Sequence, residues 1–176
     1  MRATNCPNLR EASGLKARPF PKKKSSLRLQ LAVQHTALSR RALGDRRLRR
    51  VARNALLVAR QTGRVGIALA FVGDDAMRRL NRAYAGNDYV TDVLSFSTRE
   101  NADHWRTLAT HENFLGDIVI ALPQAARQAR TAGQPLVREV DWLLAHGVLH
   151  LLGYDHVDER TTKQMRLLEQ RALQTS

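Results

Sequence analysis

Sulfur chemistry is nearly absent from this chain: Cys6 is the only cysteine in 176 residues, which excludes a disulfide framework and any cysteine-built metal site. An intracellular protein fits that pattern. Long apolar runs are missing too. No stretch approaches the ~20 residues that a membrane-crossing helix needs, so the chain reads as soluble, and its N-terminus lacks the apolar core of a secretory signal. Acids are scarce in the first 60 positions, where only Glu11 and Asp45 stand against 16 Lys and Arg; positions 61–176 hold 13 basic and 14 acidic residues. The formal net charge of +13 therefore resides at the N-terminal end. A basic part beside a nearly neutral part suggests that one holds a polyanion and the other acts on it; the plainer reading is a solvated tail and a polar helix face.

At this length, with 43% hydrophobic content, one domain is expected. Residues 1–26 mix basic residues, Pro and Ser without apolar periodicity and are expected to form a disordered extension, leaving 27–176 as the domain. An organellar transit peptide or an early start codon would read the same way. LRLQLAV (27–33) alternates like a half-buried strand, and RVGIALAFV (64–72) is a second strand. Between them, Leu48, Val51, Ala52, Ala55, Leu56 and Ala59 form an apolar helical stripe over 45–61, with Arg46, Arg47, Arg49, Arg50 and Arg53 on the remaining surface. Asp74 caps a helix to about Tyr84. Strands are expected at 91–97 and 116–121, joined by a mobile polar loop (98–114). Three helices follow, started by Pro123, Pro135 and Asp158. The order β-α-β-α-β-β-α-α-α indicates an α+β fold: a small mixed β-sheet packed against helices, with a central helix carrying an HxxxHxxGxxH motif.

That motif, HGVLHLLGYDH (146–156), contains three of the six histidines. His146 and His150 are four apart and share one helix face, Gly153 lets the chain turn back, and His156 can then approach from outside the helix. Three imidazoles leave a fourth coordination position open, the arrangement of a catalytic rather than a structural zinc site. Zinc suits the ligands best, although nickel, copper and iron accept them. On a helical wheel Val140, Leu144, Gly147, Val148 and Leu151 point away from the histidine line, so one face can be buried and the other offered to an ion. Asp155 and backbone carbonyls are the neighbouring candidates to orient the rings; Asp155 reads equally as a loop cap. His35, His104 and His111 lack partners at ligand spacing and read as surface or loop residues.

The same spacing occurs in metzincin proteases, which place Glu after the first histidine as general base. This chain has Gly147 there. Glu139 lies on the histidine line, but its backbone is about 10 Å from that of His146. A peptidase or other hydrolase is disfavoured on that ground.

HGVLHLLGYDH, LNRAYAGNDYVTDVLSF (80–96) and LGDIVIA (115–121), in this order, closely resemble the YbeY family of bacterial metal-dependent endoribonucleases and ribosomal RNA maturation factors. The resemblance runs from about residue 64 to about 172. It implies cleavage of single-stranded RNA with one Zn2+ held by His146, His150 and His156. It also implies a cytoplasmic role in 16S rRNA 3′-end processing and ribosome quality control, with ribosomal RNA, the small ribosomal subunit and its assembly factors as partners and no membrane. A mixed sheet should line a groove beside the metal, Thr91 to Phe96 forming one wall and the segment with Asp117 another edge of the sheet. Asp92 and Asp117 become candidate catalytic residues; capping at strand ends explains them equally well. One departure stands out: the family's arginine after LNxxY is Ala85 here. Arg82, one helical turn earlier, or an arginine of the 46–53 cluster could compensate. The rival reading is a non-enzymatic RNA-binding assembly factor with a structural zinc.

Overall fold

A computed structural model of the chain describes residues 26–98 and 113–174. Apart from their border residues, the N-terminal extension and the 98–114 loop expected from the sequence lie outside this range, as do His104 and His111. The elements run β1 (Arg28–Gln34), α1 (Ala37–Ala42), α2 (Asp45–Val58), β2 (Arg64–Val72), α3 (Asp74–Ala85), β3 (Val93–Ser97), β4 (Phe114–Ala121), α4 (Leu122–Thr131), α5 (Leu136–Leu151) and α6 (Glu159–Gln174). The fold is α+β with a four-stranded mixed sheet of order β1-β2-β4-β3, in which only β3 is antiparallel to its neighbour. No helix among the described residues is long and apolar enough to cross a membrane.

The alternation read in the strands sorts the sheet into two faces. Val65, Ile67, Leu69 and Phe71 of β2, with Ile118 and Ile120 of β4, bury against Leu48, Val51, Ala52, Ala55 and Leu56 of α2 and Val140, Leu144, Val148 and Leu151 of α5. On the opposite face Met77 of α3 packs with Val119 and Ala121. Helices α2 and α3 thus belong to different layers, with the sheet between them. That separation corrects one expectation: the arginines of α2 are not positioned to replace a side chain missing from the end of α3. A guanidinium cannot reach through a packed sheet.

Three local readings also change. Helix α1 was not expected, because six residues are too few to show a period; Thr36 begins it, its hydroxyl accepting the Ser39 N–H at 3.2 Å. His35 lies in the loop before α1, within the surface-or-loop reading, but its side chain is not at the surface. Its side chain is 5% exposed, stacks on Phe71, and bonds Ser39 Oγ at 3.1 Å and Asp45 Oδ1 at 2.6 Å, pinning the turn between α1 and α2. Strand β4 is not a sheet edge, since β2 and β3 flank it. Its Gly116 has φ +144°, and a Cβ there would lie 2.0 Å from the Phe96 carbonyl oxygen. Only glycine lets β3 pair so closely at that irregular point of the register.

Helix α5 contacts α2, α4, α6, β3 and β4. Arg47 of α2 donates to both oxygens of Asp141 on α5, its Nη2 at 2.6 Å, and fixes the two helices in register. Gly147 sets the helix-to-sheet distance: a Cβ there would meet Ile118 Cγ2 at 2.9 Å and Ser95 Oγ at 3.1 Å. Ile118 is β-branched and stiff, so the neighbour cannot easily yield. Gly147→Ala should therefore destabilise the fold by about 1–3 kcal/mol, overpacking outweighing the helical preference of alanine. A lower denaturant midpoint at unchanged slope would show it; an unchanged midpoint would mean the helix shifts freely.

Candidate metal centre

His146 and His150 lie one turn apart near the C-terminal end of α5, and the chain leaves the helix through a backbone motif that brings back the third histidine. The Gly153 N–H donates to the His150 carbonyl at 2.8 Å and the Tyr154 N–H to the Leu149 carbonyl at 3.1 Å, with Gly153 at φ +88°. This crossed pair is the Schellman closure that the glycine foretold, and Tyr154 packs against the core group containing Leu149. The Asp155 carboxylate accepts the His156 N–H at 2.7 Å, which is its loop-capping role. His156 then stacks on His146, ring centroids 5.2 Å apart, and stands edge-on to His150 at 5.0 Å.

The three rings offer ligand nitrogens within 4.8 Å of one another, and no other His, Cys, Asp or Glu joins the group among the described residues. His146 Nε2 and His150 Nε2 are 3.1 Å apart. Two imidazole nitrogens on a tetrahedral zinc would stand about 3.3 Å apart, from Zn–N distances of roughly 2.0–2.1 Å, so the spacing suits one ion. Burial, followed by the neighbouring His146 and His156, lowers the His150 pKa and favours the neutral, coordinating ring.

What orients His146 is a residue that sequence reasoning missed. Its Nδ1–H donates to Glu169 Oε1 at 2.7 Å, which leaves Nε2 as the ligand atom; Trp142 Nε1–H donates to the other carboxylate oxygen at 3.3 Å. Glu169 lies on α6, 23 residues from His146. One signal was available: Glu169 shares the buried face of α6 with Met165, Leu168 and Ala172, where a carboxylate without a task would be costly.

The candidate catalytic residues stand apart from this cluster. Asp92 caps β3, its Oδ1 accepting the Val93 N–H at 2.8 Å and its Oδ2 the Gln128 amide at 2.9 Å. Asp117 points to the sheet face opposite α5, paired across the strands with Ala68 and Phe96. Its half-burial raises its pKa. Arg82 is exposed on the last turn of α3; the nearby Asp88 carboxyl has its pKa lowered mainly by its hydrogen bond from Arg78, Arg82 adding a smaller attraction. Beyond burial, the groups that shift the His150 pKa are His146, His156, Asp155 and Glu169; none of these three candidates is among them. Glu139 is buried and bonded to Gln134, away from the histidines. Position 147 faces Ile118, so a carboxylate there would meet the sheet rather than an ion.

Edge strand β3 links the metal helix to α3. On one face Ser95 Oγ donates to the Gly147 carbonyl at 3.4 Å, and Ser97 Oγ lies 3.5 Å from that of Leu151; on the other, Tyr84 packs edge-on against Phe96 at 5.1 Å. Ala85 follows Tyr84. Position 85, where the resemblance leads to the expectation of an arginine, thus follows a residue packed on the strand against which the metal helix rests.

Residues 34–176 match the family described as Endoribonuclease YbeY. The chain belongs to the endoribonuclease YbeY family. It is 44% identical over 119 residues to Endoribonuclease YbeY of Gloeobacter violaceus, covering 65% of this chain and 61% of that protein. To the Desulforamulus reducens member it is 47% identical over 108 residues, covering 61% and 70%. The chain thus spans under two thirds of the Gloeobacter protein's length. The solution structure of TM1509 from Thermotoga maritima shares the fold, with a TM-score of 0.52 and 20% identity over 85% of this chain and 91% of that one.

Loss of the Glu169 clamp should weaken the centre without dismantling it. In a competitive metal titration Glu169→Ala should bind zinc about 10–100-fold more weakly, whereas Glu169→Gln, which can still accept from Nδ1, should lose much less. Equal affinity in all three proteins would remove Glu169 from the site.

Proposed function

We propose that this protein is a zinc-dependent endoribonuclease, within a single domain over 27–176, that cleaves single-stranded RNA in the cytoplasm. Its place is ribosomal RNA maturation, including the 3′ end of 16S rRNA, and ribosome quality control with the small ribosomal subunit and its assembly factors. Family membership and the absence of a membrane-crossing helix among the described residues support that setting. The observation that carries the reading is the convergence of three imidazoles, one held by a buried carboxylate, with no fourth protein ligand among the described residues. That donor set is typical of catalytic zinc.

A bound ion supplies Lewis acidity where negative charge develops on the phosphate. The remaining work falls to side chains. Glu169 holds the His146 ring and its tautomer. Trp142, 37% exposed and 5.1 Å from the His146 ring, offers a surface on which an unpaired base can stack. A cavity of about 680 Å³ extends from it; Arg47 is engaged there by Asp141 and Glu139 adds a second carboxylate, so Arg138 is the lining guanidinium placed to meet a flanking phosphate. Asp92, Asp117 and Arg82 remain candidates for a role in substrate handling from the β3 and α3 side.

Replacing His150 by Ala should abolish both bound zinc and RNA cleavage; an active zinc-free variant would sink the proposal. Ala85→Arg would return a guanidinium to the end of α3 beside the β3 edge, and should raise cleavage several-fold without altering metal content. Unchanged cleavage would show that another residue already supplies the charge. RNA binding without cleavage in metal-replete protein would favour the assembly-factor reading instead.

A further inference from the structure

Residues 26–73 contain ten arginines, no lysine and one carboxylate, Asp45, which His35 engages. Arg47 turns inward to Asp141. Arg46, Arg49, Arg50 and Arg53 remain exposed on α2, and none has an ion-pair partner among the described residues. Elsewhere arginines do find carboxylates, as Arg78 does with Asp88 and Arg127 with Asp74. At 100° per residue the four fall within an arc of about 100° and run along roughly 10 Å of helix. Such a surface repels itself unless anions neutralise it.

We infer that the exposed arginine face of α2 is a docking surface for the sugar–phosphate backbone of double-stranded RNA, separate from the histidine centre. The choice of RNA as the polyanion rests on the function proposed above; the rest is geometry. A lipid surface fits poorly, because an interfacial helix must insert its apolar face, and Leu48, Val51, Ala52, Ala55 and Leu56 are all buried in the core. A single strand fits poorly too. Sequence-tolerant single-strand binding depends on exposed aromatic rings, and the only Phe, Tyr or Trp of residues 26–73 is Phe71, buried in β2. Among the described residues the exposed aromatic rings, Tyr84, Tyr89 and Trp142, lie on α3, the segment after it, and α5. A duplex presents phosphates along a stiff rod, and α2, anchored by its buried face, presents guanidinium groups along another. Little ordering cost remains to be met on contact. The favoured substrate is then an unpaired segment flanked by a helix: the duplex on α2, the single strand at the histidines.

The test uses the full chain carrying His150→Ala, so that no cleavage disturbs binding. Arg46, Arg49, Arg50 and Arg53 are replaced together by Gln and, in a second variant, by Lys; these exposed helix positions tolerate both residues. Affinity for a labelled RNA duplex of about 20 base pairs, and for an unstructured strand of equal length, is measured against salt. The Gln variant should lose ~10-fold or more in duplex affinity and about 3 in the slope of log affinity on log salt, for four lost phosphate contacts. The Lys variant should keep the slope, and single-strand affinity should change less than ~3-fold in both. An unchanged duplex slope overturns the inference, as does an equal loss for both RNAs. So does a Gln variant that loses binding only to phosphatidylglycerol–phosphatidylcholine vesicles. Should the wild-type protein prove to cleave no RNA, arginine-dependent duplex binding would still support this surface, so the two proposals can fail separately.

Discussion

The seating of α5 against the sheet is the contact on which the rest depends. At Gly147 the helix backbone comes so close to Ile118 and Ser95 that no side chain fits between them. That closeness puts the C-terminal end of α5 against edge strand β3 and leaves His146 and His150 partly uncovered on the outward side. The Arg47–Asp141 pair then sets α2 beside it. A larger residue at 147 would lift the helix and carry both histidines with it. The absence of a protease glutamate at this position therefore has a packing cause as well as a chemical consequence.

Once α5 is seated, the metal centre is completed from two directions. The Schellman turn at Gly153 brings back His156 locally, and α6 brings Glu169 from across the helical layer. Because Glu169 accepts from both His146 and Trp142, the ligand ring and the exposed indole beside it are oriented by one carboxylate. The orientations of the ligand ring and of the indole are thereby tied to the docking of the last helix. A substitution that loosens α6 would act on the site without touching a ligand.

The sheet divides the cationic residues into two populations. Those on α2 lie in the same layer as the metal helix, while Arg82 and position 85 belong to α3 on the other side, close to the β3 edge. The arginine that the resemblance leads one to expect at position 85 is therefore not replaced by those on α2, despite the chain's large positive charge. The candidate carboxylates divide similarly: Asp92 serves as a strand cap, and Asp117 faces away from α5. Strand alternation decides that second point: Ile118 faces Gly147, so its neighbour Asp117 faces the other way.

What the sequence determined by itself is local in origin. The strand alternation, the apolar stripe of α2, the ligand spacing at 146, 150 and 156 and the turn at Gly153 all follow from periods of two or 3.6 residues, or from one backbone conformation. The short α1, the burial of His35 and the interior place of β4 needed the assembled fold, because no periodic signal marks them. The tertiary structure alone decided that Glu169 holds His146, that α2 and α3 occupy opposite layers, and that Gly147 is a contact rather than a vacancy. Each joins side chains distant in sequence across a packed interface, and such pairings follow from how helices and sheet fit together, which no local pattern encodes.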